Sequence, residues 1–243
     1  MGRLRDTPSV ENPVHSIEII CLANSNKYNG RCIAGIRADG KGWIRPVAET
    51  SHGQLYPNHY RLQDGSHPTV LDVLRIGLES HNPLPHQAEN WRIADSPWKL
   101  ICRPLPQRFM RVLRTSLCAG PNLFGDRSHR IAYREFEARP ACRSLTLVAP
   151  TGLEWSIERK EFNPKQPRAR FTLGDAYYDL PVTDPQWIDA FRELDYGLHP
   201  ECACGLRAYE KLFLTISLTE TFEQDGFCYK VVAGLVPIPK AWI

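Results

Sequence analysis

The segment from Ile17 to Val47 constrains the fold more than any other part of the chain, because it predicts three consecutive strands joined by tight turns. Ile17–Ala23 is apolar and β-branched, and the NSNKYNG sequence that follows it ends in Asn-Gly, a strong hairpin signal. Arg31–Arg37 is the second predicted strand, and a turn with two glycines leads into the third, Trp43–Val47. We therefore predict that this segment forms the first half of a β-barrel.

The rest of the chain extends this pattern, since each half offers four or five short strands with helical insertions. A five-stranded Greek-key barrel of the OB type fits that strand number and size. We predict a mostly β protein with two tandem OB-like five-stranded barrels, short helical insertions and a basic helical connector. The predicted ranges are a flexible tail at 1–15, a first barrel at 16–96, the connector at 97–143 and a second barrel at 144–243.

The connector is the most basic part of a chain whose formal net charge is only +3. From Pro97 to Arg143 ten Lys or Arg face three acidic residues, which gives this segment +7 and leaves −4 for the remainder. Such a patch is typical of a surface that meets a polyanion. Arg108 and Arg111 recur on one side of a predicted amphipathic helix, and we predict that they contact phosphate. An ordinary solvated helix face is the alternative.

Candidate binding residues in the first barrel follow from strand alternation. Arg31 and Arg37 share one face of the second strand, while Trp43 and Arg45 share one face of the third. An exposed face of this kind would let guanidinium groups meet phosphate while the indole stacks on a base. The predicted contacts here are Lys27, Arg31, Trp43 and Arg45, and the alternative is a solvated sheet face.

The second half contains a similar set of candidates. Arg168 and Arg170 lie on one face of a predicted strand, and Tyr177 follows on the next strand. We predict that these three residues contact the same ligand class. The alternative is that the tyrosine closes the barrel core and leaves its hydroxyl at the rim.

A zinc site is only weakly indicated, by the sequence HPECACG. His199, Cys202 and Cys204 supply three of the four ligands that structural zinc needs, and the usual Cys-x-x-Cys spacing is missing. We predict no metal ion and no cofactor. The eight cysteines are predicted to be free thiols.

No catalytic signature is present, neither a nucleophile motif nor a phosphate-binding Gly-rich loop. A metal-dependent nuclease or nucleotide hydrolase stays as an alternative, because acids and histidines are scattered through the first half: Asp72, Glu79, His81, His86 and Asp95. No apolar run reaches the roughly 20 residues of a membrane helix, and the N-terminus lacks a secretory signal. We therefore expect a cytoplasmic protein with no membrane partner.

As an ordered set, several motifs resemble the dual OB-containing domain proteins of bacteria. They are CLANSNKYNGRCIAGI and GWIRPV within Cys21–Val47, VLDVLRIGL at Val70–Leu78, LPVTDP at Leu180–Pro185, LTISLTETF at Leu214–Phe222 and CYKVVAGLV at Cys228–Val236. The resemblance implies tandem OB-like barrels and a role in prokaryotic conflict or defence systems, often beside a separate effector. It supplies no catalytic residues.

The function expected from these observations is a non-enzymatic module that binds single-stranded nucleic acid or senses a nucleotide. There are two alternatives to this module: the metal-dependent nuclease or nucleotide hydrolase, and a protein-interaction adaptor that recruits an effector.

Overall fold

A computed structural model describes residues 15–103, 105–159, 165–206 and 209–239. Residues 1–14 of the predicted tail lie outside the described residues. The chain is 51% strand and 13% helix, which confirms the predicted mostly β class. Within the described ranges, no helix has the length and apolar character needed to cross a membrane.

The first unit is a closed five-stranded barrel. Its strands are β1 (His15–Lys27), β2 (Gly30–Arg37), β3 (Trp43–Val47), β4 (Val73–His81) and β5 (Asn90–Ile93). Hydrogen bonds link them in the order β1-β2-β3-β5-β4, and β4 pairs back with β1 to close the ring. The β3–β5 pair is parallel and the other pairs are antiparallel. This arrangement confirms the predicted OB-type barrel.

β1 closes the barrel because it is long and bulged. Residues His15 to Ile20 of β1 pair with β4, and residues Ile19 to Lys27 pair with β2. The register shifts between Cys21 and Ala23, and a bulge of this kind bends a strand and increases its twist. The strand can therefore serve two neighbours on different sides of the barrel, around a core that contains Ile33, Leu74 and Trp98.

The second unit is a half-barrel made of two four-stranded sheets. Its strands are β7 (Arg130–Ala132), β8 (Leu145–Val148), β9 (Thr151–Glu158), β10 (Gln166–Leu173), β11 (Ala176–Pro181), β12 (Gly197–Pro200), β13 (Tyr209–Phe222) and β14 (Phe227–Pro239). The sheet orders are β11-β10-β9-β12 and β7-β14-β13-β8. Trp155, Phe171 and Phe191 pack in the core between them. The tandem OB-like fold is confirmed, with a second unit that is more open than the first.

Short helical segments connect the strands. They are α1 (Pro57–Tyr60), the 3-10 turn η1 (Gln107–Phe109), α2 (Met110–Thr115), α3 (Tyr133–Ala138) and α4 (Pro185–Phe191). α4 is capped at its start, because the Asp184 side chain accepts a hydrogen bond from the Gln186 backbone N–H at 3.1 Å and Pro185 occupies the first turn.

The predicted connector is not helical throughout. It contains η1, α2 and α3, but also β6 (Lys99–Cys102), which pairs with β4 of the first barrel, and β7, which pairs with β14 of the second unit. The segment thus contributes strands to both units.

The two units share a hydrophobic seam. Ile20 and Leu22 of β1 pack in one cluster with Phe213 and Val236 of the second unit. Thr215 donates a hydrogen bond to the Leu22 carbonyl at 2.7 Å. The two backbones lie close together at Gly234, where an ideal Cβ would be 2.2 Å from the Leu22 carbonyl oxygen.

We expect Gly234→Ala to lower the free energy of unfolding by about 1–3 kcal/mol, because the added methyl must push two packed backbones apart. Equilibrium urea unfolding measures the change. Gly120→Ala is the matched control, because its Cβ would meet ordinary contacts of 3.8 Å or more. Equal costs at the two positions would show that the seam tolerates separation.

Candidate functional site

A cleft of about 900 Å³ opens where the β1–β2 hairpin of the barrel meets the β13–β14 hairpin of the second unit. Its walls come from residues 25–28 and residues 217–225, with Thr183 between them. The Asn26 N–H donates to the Thr183 carbonyl at 2.8 Å and holds one wall in place. The volume lies within the range of small-molecule sites.

Aromatic rings line both hairpins of this cleft. Tyr28 is 59% exposed and stacks on His52, with ring centroids 4.0 Å apart and planes inclined by 20°. Phe222 is 48% exposed and meets Tyr229 edge-on at 5.1 Å. Flat rings at an open rim are suited to stacking on a planar ligand.

Tyr28 has an unusual backbone conformation for an aromatic residue. Its φ of +52° lies in the left-handed region, which costs a residue with a Cβ roughly 1–2 kcal/mol. Strained residues of this kind concentrate at ligand sites, where the surrounding structure holds them in place. The hairpin turn therefore presents the Tyr28 ring at a cost in stability.

Glu220 is the charged centre of the second wall. One carboxylate oxygen lies 2.7 Å from Lys27 Nζ, and the other lies 3.3 Å from His86 Nε2. Burial alone would raise the pKa of Glu220, but the contact with His86 and the charge of Lys27 outweigh burial and lower the pKa to about 2. Glu220 is thus an ionised link between the two units.

The pH dependence of stability tests this link. Because the pKa of Glu220 falls from an ordinary 4.5 to about 2 on folding, its contribution is present at neutral pH and is lost as pH falls through that window. Between about pH 6 and pH 3 we expect the parent to lose roughly 2 kcal/mol more unfolding free energy than Glu220→Gln. Urea unfolding at both pH values measures it, and parallel losses would contradict the assignment.

Arg45 lies at the floor of the cleft and is 1% exposed. Its Nη2 donates to the hydroxyls of Ser144 and Ser217, each at 3.0 Å. Ser144 in turn donates to Glu89 Oε2 at 2.6 Å, and Glu89 Oε1 accepts the backbone N–H groups of Ser144 and Leu145 at 2.6 and 3.2 Å. A hydroxyl thus bridges the two opposite charges.

The structure places the predicted binding residues of the first barrel in different environments. Lys27 and Arg45 line the cleft, whereas Arg31 lies outside its lining and donates to Asn26 Oδ1 at 2.6 Å. Trp43 packs into the seam between the units. The predicted open face of arginines around an indole is not present, because the second unit covers β3 and buries Arg45.

The predicted residues of the connector lie on an exposed helix surface. Arg108 and Arg111 are both solvent-exposed, and the Arg108 guanidinium lies 4.9 Å from the centroid of the Phe109 ring. Neither arginine lines the cleft. Their contact with phosphate stays a prediction.

The arginines of the second half are already paired. Arg168 and Arg170 both bind Asp179, at 2.5 and 2.9 Å, and Arg170 also binds Glu158 at 3.1 Å. This set carries no net charge, so phosphate would have to compete with two carboxylates. Tyr177 lies beside the set and is 60% exposed. Its stacking role also stays a prediction.

The three weak zinc candidates do not form a cluster. His199 Nε2 contacts the Asp195 carbonyl at 2.8 Å, and the Cys204 thiol donates to the Ala190 carbonyl at 3.2 Å. Neither bond involves Cys202. Across the described ranges, no group of three His, Cys, Asp or Glu side chains is placed to hold a metal ion. All eight cysteines are free thiols, as predicted.

The carboxylates of the nuclease alternative are not brought together as a metal site either. Asp72 is buried and binds Arg103 through two hydrogen bonds of 2.6 and 2.5 Å. His81 contacts the Ala88 carbonyl, while His86 contacts Glu220.

Sequence reasoning missed most residues of the cleft. Tyr28 was visible within the first turn, and Phe222 ends the LTISLTETF motif. Neither carried a signal of its own, because the site forms only when two hairpins far apart in the sequence meet. Glu220 and His52 belong to the same group.

The chain matches one known protein family over most of its length. The sequence model of the family described as "Dual OB-containing domain" matches residues 17–235. No curated protein sequence matches the chain. A solved structure described as "Molecular basis for abrogation of activation of pro-inflammatory cytokines" is similar over 93% of each chain, with 9% identity and a TM-score of 0.30. That likeness is too weak to support an argument.

Proposed function

The chain belongs to the dual OB-containing domain family, and on that premise we propose that it is a non-enzymatic module that binds single-stranded nucleic acid or a nucleotide in the cleft. The observation that carries the proposal is the pairing of exposed aromatic rings with a buried guanidinium in one cleft: Tyr28, His52 and Phe222 at the rim and Arg45 at the floor. Stacking on rings is tolerant of sequence and contributes about 1–3 kcal/mol per base.

The position of the cleft in the fold adds support. OB barrels bind oligonucleotides on the face of their second and third strands and in adjoining loops, including the loop between the first two strands. The β1–β2 turn of this barrel is the loop that carries Tyr28. The second unit adds a second wall, so the ligand would touch both units.

The cellular setting we propose is the bacterial cytoplasm, where the module would act in a conflict or defence system beside a separate effector. The support for this setting is the resemblance of the sequence motifs to the bacterial family. Binding of a nucleotide or strand in a cleft between two units offers a physical route to signal, because ligand contacts would stabilise one relative placement of the hairpins.

A binding panel tests the proposal. Single-stranded DNA, single-stranded RNA and nucleotides are titrated by calorimetry at two salt concentrations, with and without Mg²⁺, and products are followed by chromatography. We expect binding without turnover, with weaker affinity for the strands at the higher salt. Metal-dependent product formation would favour the nuclease or hydrolase, and the absence of any binding would favour the adaptor.

A further inference from the structure

We propose that the cleft recognises the phosphomonoester of a nucleoside 5′-phosphate, and that Arg45 at its floor binds the phosphate. This inference rests on the proposed function and narrows its ligand class. The chemistry is shared by free nucleotides and by the 5′-phosphorylated end of a single strand.

Arg45 has buried hydrogen-bond donors without acceptors. None of the described residues accepts a hydrogen bond from Nε or Nη1, although both atoms are buried. Nη2 alone is satisfied, by the hydroxyls of Ser144 and Ser217. Leaving guanidinium N–H groups buried without acceptors is unfavourable, so the site is suited to an anion that offers several oxygens.

Glu89 partly balances the charge of Arg45 at the floor of the cleft. Glu89 is the nearby buried carboxylate, but it accepts three hydrogen bonds from Ser144 and Leu145 and reaches Arg45 only through the Ser144 hydroxyl. Glu89 therefore offsets part of the desolvation cost of Arg45 without accepting a hydrogen bond from Nε or Nη1. These two nitrogens remain available to phosphate, whose oxygens accept charge-assisted hydrogen bonds from a guanidinium.

The carboxylates of the cleft walls are either paired with cations or exposed to solvent. Glu220 is paired with Lys27 and His86, and Asp225 is paired with Arg130 at 3.2 Å. The acidic side chains of these walls are thus neutralised in place. Glu223, a further lining carboxylate, lies exposed towards solvent. A phosphate can therefore approach the floor without meeting a free buried carboxylate.

Arg45 is much less exposed than the rings of the same cleft. It is 1% exposed, whereas Tyr28 and Phe222 are 59% and 48% exposed. An internal phosphodiester has a nucleotide on either side and would have to carry both to the floor. A phosphomonoester ends the chain, so it can reach the floor while its base remains at the rim to stack.

The test compares ligands that differ only in the phosphate. Adenosine and adenosine 5′-monophosphate are titrated by calorimetry, as are 5′-hydroxyl and 5′-phosphorylated forms of one short single strand. We expect the phosphorylated member of at least one pair to bind about 10- to 100-fold more tightly. The pair that shows the preference identifies the free nucleotide or the strand end as the source.

Two variants assign the preference to Arg45. Arg45→Met should abolish it, whereas Arg75→Met removes an arginine that binds Glu18 outside the cleft and should leave it intact. A preference that survives Arg45→Met in folded protein would overturn the inference.

The parent protein alone is also decisive, which guards against an Arg45 variant that fails to fold. Equal affinity for both members of each pair would overturn the phosphomonoester assignment and leave the proposed function standing. If the parent protein binds none of these four ligands and none of the broader panel, the proposed function itself is overturned.

Discussion

Replacing Glu89 with Ala should lower the free energy of unfolding by about 3–5 kcal/mol, because it leaves the buried Arg45 charge without its counter-charge. Glu89 is 9% exposed and accepts three hydrogen bonds that connect the loop before β5 to the start of β8. The same substitution also leaves the backbone N–H groups of Ser144 and Leu145 without their acceptor. Urea unfolding followed by circular dichroism measures the loss.

The double variant separates charge from packing. A buried ion pair replaced on both sides by apolar side chains often costs little, so Glu89→Ala combined with Arg45→Met should recover a large part of the lost stability. Glu49→Ala is the control, because Glu49 is 82% exposed in its contact with Arg92 and should change stability by less than about 0.5 kcal/mol. Additive losses in the double variant would show that Glu89 and Arg45 are not coupled.

The first barrel could be predicted from the sequence because its signals are local. Turn residues and alternation within Ile17–Val47 specify β2 and β3 to within one residue of their observed bounds, whereas β1 runs from His15 to Lys27 and extends beyond the predicted Ile17–Ala23 at both ends. The Thr183-Asp184-Pro185 helix start is equally local, since Asp184 caps the helix that it begins. Signals of this kind depend on residues within one turn or one strand of each other.

The environment of Arg45 could not be predicted in the same way. Alternation places Trp43 and Arg45 on one face of β3, but it does not say whether solvent or protein covers that face. In the structure Arg45 is buried against Ser144 and Ser217, which lie 99 and 172 residues further along the chain. Only the packing of the second unit on the first decides between a solvated arginine and a buried one.

The cleft could not be predicted from the sequence, for a related reason. Its two walls come from hairpins at opposite ends of the chain, and their contact is made by pairs such as Lys27 with Glu220, separated by 193 residues. A lysine in a turn and a glutamate in a strand carry no sign of each other. Without observable covariation between them, no spacing rule brings them together.

Substitution of Tyr28 tests most directly whether the aromatic rim of the cleft binds the ligand. We expect Tyr28→Gly to weaken binding of the preferred ligand roughly 5- to 150-fold, because base stacking contributes about 1–3 kcal/mol. Stability should stay within about 1 kcal/mol of the parent, since glycine relieves the left-handed strain at φ +52° while the stack on His52 is lost. Affinity and unfolding free energy are measured on the same preparations. An unchanged affinity would remove the rim from the binding site.

Two further aromatic residues separate the possible binding surfaces. Tyr196→Ala is the control, because Tyr196 is 51% exposed and lies outside the cleft lining. Tyr177, 60% exposed beside Arg170, represents the competing surface in the second half. Because the arginines there are already paired with carboxylates, we expect Tyr177→Ala to change affinity less than twofold. If Tyr177→Ala lowers the affinity more than Tyr28→Gly does, the ligand binds on the β11-β10-β9-β12 sheet and not in the cleft.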